Sequence, residues 1–398
     1  MLSSADLTSQ NIVLDPWNGS GTTTQAASKL GFNSIGCDLN PVMIIVTKAR
    51  LLPPSEADSL EPLGKEILRQ ALQHELFDNI HNDPLSTWFS RKTAVAIRAI
   101  ESTIRRHLIG TRTITPDSIN LSRLTTVASA HYVALFSVCR DLTKRYHSSN
   151  PTWLREPRSD ERKQSFSKEA IARRLISKLA QLSDALSAQP DLFSSETHTP
   201  EILLADSTLK TLPDESIDLI VTSPPYCTRI DYTAATRIEL AVLHPLLATS
   251  PKELARQMTG STCAPDRIIQ VSDNWGGTCL KFLETLRNHQ SKASATYYYN
   301  NHLDYFDKMY RSMANLASSL RSGGSAILVV QDSFYKDVHN DLPSIIADFA
   351  ASSGLQLARR QDFYFRQSMA RINPPGCIVV DPARLRLSYA SRSDPTIE

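Results

Sequence analysis

Two short polar loops, about 200 residues apart, carry the residue types in this chain that could do chemistry. The first reads Asp15-Pro16-Trp17-Asn18-Gly19-Ser20-Gly21-Thr22-Thr23 and follows the apolar run 12–14. The second reads Thr222-Ser223-Pro224-Pro225-Tyr226 and follows the apolar run 219–221. Each pattern is typical of a strand that runs into a loop, and open α/β sheets bind their ligands at such strand ends. The pair therefore indicates one ligand site built from two distant parts of the chain.

The first loop has the features of a cofactor site. Gly19 and Gly21 allow a tight turn and a close approach of the backbone to a ligand. The pair Thr22-Thr23 opens a predicted helix, whose free N–H groups favour a carboxylate or another anion. Asp38 ends the next predicted strand, and an acid about 20 positions after such a loop suits hydrogen bonds to ribose hydroxyls. Its alternative role is to cap the helix that begins at Asn40-Pro41.

The second loop suits a planar substrate that carries an amine. Two prolines fix the backbone and add no competing N–H donor, so a carbonyl can face the amine. The hydroxyl of Ser223 can accept a hydrogen bond from the same amine, and Tyr226 can stack on the ring. A base amine is a poor nucleophile because its lone pair is delocalised, and two acceptors would localise that pair. Asp206, after a third strand, could accept from an adenine amine or could cap the turn at Ser207-Thr208.

The first loop resembles the DPFxGSGTT cofactor loop of the DNA amino-methyltransferases, and the second resembles their (S/D/N)PPY catalytic motif. The segments 204–207, 212–218 and 322–325 also resemble that family. The resemblance implies S-adenosylmethionine as the cofactor and needs no metal. The cofactor-binding residues that it implies are Asp15, Trp17, Gly19, Ser20, Gly21, Thr22, Thr23, Asp38, Asp206 and Ser207. The catalytic residues that it implies are Ser223, Pro224, Pro225 and Tyr226.

The resemblance also implies an α/β fold, the class I methyltransferase (Rossmann-like) fold, with a mixed seven-stranded sheet, helices on both faces and a helical insertion. We predict that residues 1–52 and 199–388 form the two parts of this domain. Residues 53–198 are predicted to be an inserted helical lobe with its own small core and a candidate role in target recognition. The stretch 250–294 is predicted to be rich in loops, and 389–398 to be a flexible tail.

The serine version of the second motif is typical of enzymes that methylate cytosine at N4, so we expect site-specific methylation of double-stranded DNA with a flipped target base. Adenine N6 stays open as the runner-up. An RNA base methyltransferase and a non-catalytic DNA-binding subunit of a defence complex are further alternatives. A partner subunit or a restriction nuclease could accompany the chain.

Two features depart from the family pattern. The cofactor loop precedes the catalytic motif, whereas the reverse order is the commonest among serine-type members. Only eleven residues precede Ile12, too few for the helix that normally lines the methionine end of the pocket. We therefore expect another segment or another subunit to fill that place, or cofactor binding to be weak.

Composition narrows the class of protein further. The 398 residues are 41% hydrophobic and 21% charged, as in ordinary globular proteins. Six scattered cysteines without a CxxC pair indicate reduced thiols and a cytoplasmic protein. The chain shows no secretory signal and no apolar run of about 18 residues, so we expect no membrane contact. Basic residues are concentrated in 140–174, which favours either a phosphate-binding face or a solvated helix face.

Overall fold

The protein is described from a computed structural model. It describes residues 8–73, 82–110, 121–148, 153–188, 198–227, 231–263, 267–364 and 384–392.

A seven-stranded sheet forms the centre of the molecule, in the order β3-β2-β1-β4-β5-β9-β8. Its strands are β1 (Ile12–Asp15), β2 (Asn33–Asp38), β3 (Glu201–Leu204), β4 (Ile217–Thr222), β5 (Leu320–Gln331), β8 (Leu355–Tyr364) and β9 (Arg384–Arg392), while β6 (Ser333–Tyr335) and β7 (Val338–Asn340) pair as a separate hairpin. The first five of these strands in the sheet order are parallel, and β9 runs antiparallel to both of its neighbours. This order confirms the predicted Rossmann-like fold with a mixed sheet.

Helices cover both faces of this sheet. They are α1 (Thr22–Lys29), α2 (Pro41–Arg50), α3 (Leu60–Gln73), α4 (Arg91–Leu108), α5 (Thr126–Leu142), α6 (Lys168–Ser187), α7 (Tyr232–Ala235), α8 (Arg237–Leu243), α9 (Pro251–Gln257), α10 (Gly276–Asn288), α11 (Tyr299–Ser319) and α12 (Leu342–Ser352). Neighbouring residues of β1 point to opposite faces: Val13 packs with Ala27 of α1, and Leu14 packs in the core formed with α10 to α12. None of the described helices is long and apolar enough to cross a bilayer.

The helices α3 to α6 share one hydrophobic core with α2 and α8. Val42 and Ile45 of α2 and Val242 of α8 belong to the same buried cluster as Ile97 of α4 and Leu135 of α5. The prediction that the insertion has its own small core is therefore wrong. The sequence could not show this, because the apolar face of a helix does not reveal which neighbour covers it. The domain boundary at residues 52 and 53 stays a prediction.

Two further expectations, about helices in 250–294 and about the end of the last strand, are wrong. The stretch 250–294, predicted to be rich in loops, contains α9 and the 13-residue helix α10. The two glycines at the start of α10 hid it, because Gly276 has a φ of 80° and lies at the helix entry rather than inside it. The last strand ends at Arg392, so the boundary predicted at residue 388 falls inside β9. The sequence Pro374-Pro375-Gly376 followed by 377–380 predicts a last hairpin arm, and these residues lie outside the described ones.

A buried arginine joins the insertion to the rest of the domain. Arg98 of α4 is 4% exposed and forms a bidentate ion pair with Asp83, with N–O distances of 2.8 and 3.0 Å. Its remaining N–H groups donate to the carbonyls of Ala241 and Val242 at the end of α8, and it also contacts Glu101. Because these acceptors are shielded from water, removing the guanidinium would leave buried charges and carbonyls unpaired.

We expect Arg98→Met to lower the free energy of unfolding by about 3–5 kcal/mol, which is typical when one partner of a buried ion pair is removed. Chemical denaturation would measure the loss, and a single transition is expected because the insertion and α8 share a core. Arg69→Met is the matched control, because Arg69 pairs with Glu66 on an exposed helix face and its loss should leave the unfolding midpoint unchanged. Equal midpoints for the two variants would contradict the structural role of Arg98.

Candidate active site

A cavity of about 260 Å³ opens at the carboxyl ends of β1 to β4, where the strand order reverses between β1 and β4. In parallel sheets this reversal is the usual place for a ligand. The lining residues come from six stretches of chain: Pro16, Trp17, Gly19; Asp38, Leu39, Asn40, Met43; Ala205, Asp206, Ser207; Ser223, Pro225; Tyr232, Ala235, Thr236; and Met258, Thr259. The two loops that the sequence singled out therefore meet in one cavity.

The loop after β1 is held in a fixed shape by contacts across the cavity floor. Gly19 donates its N–H to Asp38 Oδ2 at 2.9 Å, and its carbonyl accepts from the hydroxyl of Thr47 at 2.9 Å. Gly21 has a φ of 83°, and a Cβ there would lie 2.5 Å from Cγ2 of Thr47. The buried side chain of Asn18 also contacts the Thr47 hydroxyl, at 3.4 Å. Glycine at position 21 is thus required both by the backbone conformation and by the space.

Asp38 is a half-buried carboxylate at the cavity wall. Its two oxygens accept from the backbone N–H groups of Gly19 and Asn40, at 2.9 and 2.7 Å. Burial raises the pKa of Asp38 to about 6, although these two hydrogen bonds favour the ionised form. The adjacent cap of α2 is Asn40, whose side chain accepts from Val42 N–H. Asp38 is therefore not the cap residue, and its carboxylate faces the cavity with lone pairs left for a ligand hydroxyl.

Asp15 joins the two loops from below. It is 5% exposed, and its Oδ1 accepts from the hydroxyl of Thr222 at 2.7 Å and from the N–H of Trp17 at 3.2 Å. Burial raises the pKa of Asp15, against the hydrogen bonds from Thr222 and Thr23. Asp15 does not line the cavity. Its place in the structure indicates that it sets the distance between the ends of β1 and β4.

Ser223 is exposed at the end of β4 and lines the cavity. Its hydroxyl donates to the carbonyl of Val329 in β5 at 3.2 Å. A serine hydroxyl has one proton and two lone pairs. Because the proton is directed at Val329, the lone pairs stay available to accept a hydrogen bond from a ligand N–H.

Asp206 and Ser207 form the third wall, after β3. Asp206 Oδ1 accepts from Thr208 N–H at 2.8 Å, which is the turn-capping role that the sequence left open. Asp206 also lines the cavity, so the two roles are compatible. The hydroxyl of Ser207 lies 2.9 Å from that of Ser312 in α11.

Comparison with known proteins bears on this site. Residues 3–48, which contain the first loop and Asp38, match the model of a DNA methylase family of the N6 and N4 type. A type II methyltransferase, M.BsoBI of Geobacillus stearothermophilus, is 25% identical over 272 residues, or 60% of this chain. The chain is thus similar to DNA amino-methyltransferases in its first loop and, more distantly, over the larger part of its length. It aligns with 48% of the length of M.BsoBI, about half of that protein.

Two solved structures are distantly similar. A SAM-dependent methyltransferase from Methanosarcina mazei is 7% identical, with 97% of this chain and 94% of that chain covered, at a TM-score of 0.32. A protein titled as a DNA modification methylase of Thermus thermophilus is 14% identical over 49% of this chain and 53% of its own, at a TM-score of 0.23. Both TM-scores are low. The fold is defined by the strand order of the seven-stranded sheet.

Only some of the site residues that the resemblance to the methyltransferase family implies line the cavity. Those that line the cavity are Trp17, Gly19, Asp38, Asp206, Ser207, Ser223 and Pro225; those that do not are Asp15, Ser20, Gly21, Thr22, Thr23, Pro224 and Tyr226. Ser20 is exposed and accepts from the guanidinium of Arg50 instead. Thr22 and Thr23 form the first turn of α1.

Several cavity residues were missed by the sequence reasoning. They are Pro16, Leu39, Asn40, Met43, Ala205, Tyr232, Ala235, Thr236, Met258 and Thr259. The step Asn40-Pro41 signalled a helix start, and that cap residue also donates to the hydroxyl of Thr236 at 3.1 Å. Nothing in the sequence around Tyr232 or Met258 distinguishes them from core residues, since only the tertiary structure brings α7 and the end of α9 to the cavity.

The basic stretch 140–174 is partly structural in this protein. Arg140 pairs with Glu239 at 2.6 Å and donates to the carbonyl of Ala235. Arg155 pairs with Glu161 at 2.6 Å. Such guanidinium groups already have acceptors, which reduces the number of cations free to meet phosphates.

Within the described residues no group of three or more acidic, histidine or cysteine side chains is arranged for a metal ion.

We expect Gly21→Ala to lower the free energy of unfolding by about 2–5 kcal/mol, from about 1–2 for the left-handed backbone and about 1–3 for overpacking against Thr47. Chemical denaturation would measure it. Gly323→Ala is the matched control, since its φ is 73° but nothing lies within 4 Å of the added Cβ, so only the backbone cost applies. Adding Thr47→Ser to Gly21→Ala should restore part of the loss. Equal losses at positions 21 and 323 would show that the contact with Thr47 is unimportant.

Proposed function

We propose that this protein transfers the methyl group of S-adenosylmethionine to the exocyclic N4 of cytosine in double-stranded DNA. The observation that carries the proposal is the meeting of the cofactor loop with Ser223 in one cavity at the strand ends. Residues 3–48 match a DNA methylase family, and the relative over the larger part of the chain is a type II methyltransferase. Both support DNA as the substrate.

The cavity suits the cofactor by its donors and its walls. Asp38 offers carboxylate oxygens for the ribose hydroxyls, and Asp206 offers an acceptor for the adenine amine. Trp17 and Leu39 supply flat or apolar walls between these acids. The glycine loop and the start of α1 would face the amino-acid end of the cofactor, where backbone N–H groups favour its carboxylate. Tyr232 and Met258 also line the cavity, away from the first loop in sequence.

When bound, S-adenosylmethionine supplies an electrophilic methyl group on a positively charged sulfur. The lone pairs of Ser223 Oγ accept one N–H of the target amine, because the hydroxyl proton is engaged with Val329. The carbonyl of Pro225 is occupied by the hydroxyl of Tyr305 at 2.9 Å. Pro224 itself does not line the cavity, but it stands between Ser223 and Pro225, which do, and its carbonyl is our candidate for the second acceptor. Two acceptors on one amine favour a pyramidal nitrogen, whose localised lone pair would be available to the methyl group that the cofactor supplies. The proton that the amine gives up would pass to solvent.

The choice of N4-cytosine rests on the serine of the catalytic motif, which resembles the N4-type members of the family. Adenine N6 is the second candidate, since its amine also lies beside a ring acceptor. We propose that either base must leave the duplex to reach Ser223, because the acceptor lies inside a cavity that a stacked base cannot enter.

We expect the affinity for S-adenosylmethionine to fall as the pH is lowered through about 6, the pKa to which burial raises Asp38. Above this pH the carboxylate is ionised and accepts from ribose, and below it one oxygen becomes a donor. Asp38→Asn should weaken binding at neutral pH by about 1.5–3 kcal/mol, as for a lost hydrogen bond to a charged group. Titration calorimetry between pH 5 and 7 would measure both effects. The variant should lose the pH dependence, which separates Asp38 from Asp15. An unchanged affinity in Asp38→Asn would place the ribose elsewhere.

Ser223→Ala should slow methyl transfer to DNA by about 10²–10³-fold, the usual effect of removing one aligned hydrogen-bonding group at a reacting centre. Its affinity for the cofactor should stay unchanged, because Ser223 acts on the amine. Ser216→Ala is the matched control: Ser216 immediately precedes β4 and also donates to a backbone carbonyl, that of Pro213. Rates are measured by tritium transfer, and mass spectrometry of the DNA identifies the base. A full rate in Ser223→Ala would refute the catalytic assignment, and N6-methyladenine as the sole product would refute the choice of cytosine.

A further inference from the structure

The turn that carries Ser223 has few backbone groups with which to hold its shape. Pro224 and Pro225 have no N–H, so the turn cannot be fixed by a hydrogen-bonded ladder. Two tyrosine hydroxyls take that role. Tyr305 donates to the carbonyl of Pro225 at 2.9 Å, and the N–H of Tyr226 donates to the hydroxyl of Tyr232 at 3.2 Å.

Both hydroxyls act in a largely dry environment. Tyr305 is 1% exposed, and burial raises its pKa well above the usual range. Burial also raises the pKa of Tyr232 to about 12. Both phenols are therefore neutral at physiological pH, and each keeps its proton as a donor. Tyr305 uses its proton on the turn, whereas Tyr232 uses a lone pair and its ring lines the cavity.

A third contact fixes the end of the turn. Gly260 has a φ of 81°, and a Cβ built on it would lie 2.5 Å from the carbonyl oxygen of Tyr226. The segment before Gly260 is tied to α11 by Lys308, whose ammonium pairs with Asp304 at 2.6 Å and donates to the carbonyl of Met258 at 3.3 Å. The wall of the cavity at Met258 and the catalytic turn are thus packed against each other.

One helix, α11, supports two of these contacts. Tyr305 and Lys308 lie one turn apart on α11 and so share a face. The neighbouring Phe306 and Met309 are completely buried in the core beneath the sheet, which anchors the helix. A shift of α11 would move the turn and the cavity wall together.

We propose that Tyr305 and Tyr232 are positioning residues, which clamp the Pro224-Pro225-Tyr226 turn so that Ser223 Oγ and the Pro224 carbonyl converge on the target amine. This inference rests on the proposed function. Neither hydroxyl contacts the amine, and both act through the backbone of the turn. Loss of either hydroxyl leaves the chain folded but lets the turn shift.

The test compares Tyr305→Phe and Tyr232→Phe with wild type in single-turnover methyl transfer at saturating S-adenosylmethionine and DNA. A displaced reacting group should lower the rate at least about tenfold. In Tyr305→Phe the Kd for S-adenosylmethionine, measured by calorimetry, should stay within about twofold of wild type because Tyr305 does not line the cavity. Tyr310→Phe is the matched control, because Tyr310 lies on the same helix and packs its ring on Phe349, 5.5 Å away. It should keep the wild-type rate.

Hydrogen exchange gives a second, independent measurement at the turn. Exchange of the Tyr226 N–H should become faster in Tyr232→Phe and stay unchanged in Tyr310→Phe. Wild-type rates in both clamp variants, or rate losses that only follow a loss of folded protein in thermal denaturation, would overturn the inference while leaving the proposed function intact. If wild type itself transfers no methyl group, the proposed function fails, and the clamp is then judged by exchange alone: unchanged exchange in Tyr232→Phe refutes it.

Discussion

The buried hydrogen bond from Thr222 to Asp15 is the contact on which the site depends. It joins the ends of β1 and β4, which are adjacent in the sheet but separated by about 200 residues of sequence. The loops that follow these strands can meet in one cavity because this contact sets the strand ends side by side. Asp15 has its pKa raised by burial, yet it remains hydrogen bonded to Thr222 and to the start of its own loop. The site is therefore formed by the arrangement of the strand ends, and neither loop would form it alone.

The helical insertion also helps to hold this site in place. Its helices pack on α2 and α8, and α2 begins at Asn40, whose side chain bonds to Thr236 in the cavity wall. Arg98 ties α4 to the end of α8 through two carbonyls. The part of the insertion that the structure describes contributes no lining residue, yet it helps to hold the wall formed by residues 232–236.

The ionised carboxylate at the cavity wall lowers the free energy of unfolding of the protein. Asp38 has a raised pKa, so its ionised form lowers the stability of the free protein as the pH rises through about 6. A neutral or apolar residue would avoid this cost, but it would offer no charged acceptor for ribose. Binding sites often retain such destabilising groups because function requires them. The left-handed glycines of the first loop are a similar constraint, since their backbone conformation lets the N–H of Gly19 donate to Asp38.

The sequence by itself determined the starts of α1 and α2 and the two loops of the site, and the mixed sheet followed from the resemblance to the methyltransferase family. It could do so because strand periodicity, glycine turns and proline motifs are local signals. It did not reveal α10, the end of β9 or the shared core of the insertion, because these depend on which apolar faces meet. In the site it predicted Asp38, Asp206 and Ser223, whose types and positions after strands are distinctive. Only the tertiary structure placed Asp15 beneath the cavity and brought Tyr232 and Tyr305 to the catalytic turn. Their sequence surroundings do not indicate that role, because a tyrosine on a helix is usually interpreted as a core residue. Only the structure shows that these two hydroxyls form hydrogen bonds with the backbone of the turn that contains the two prolines.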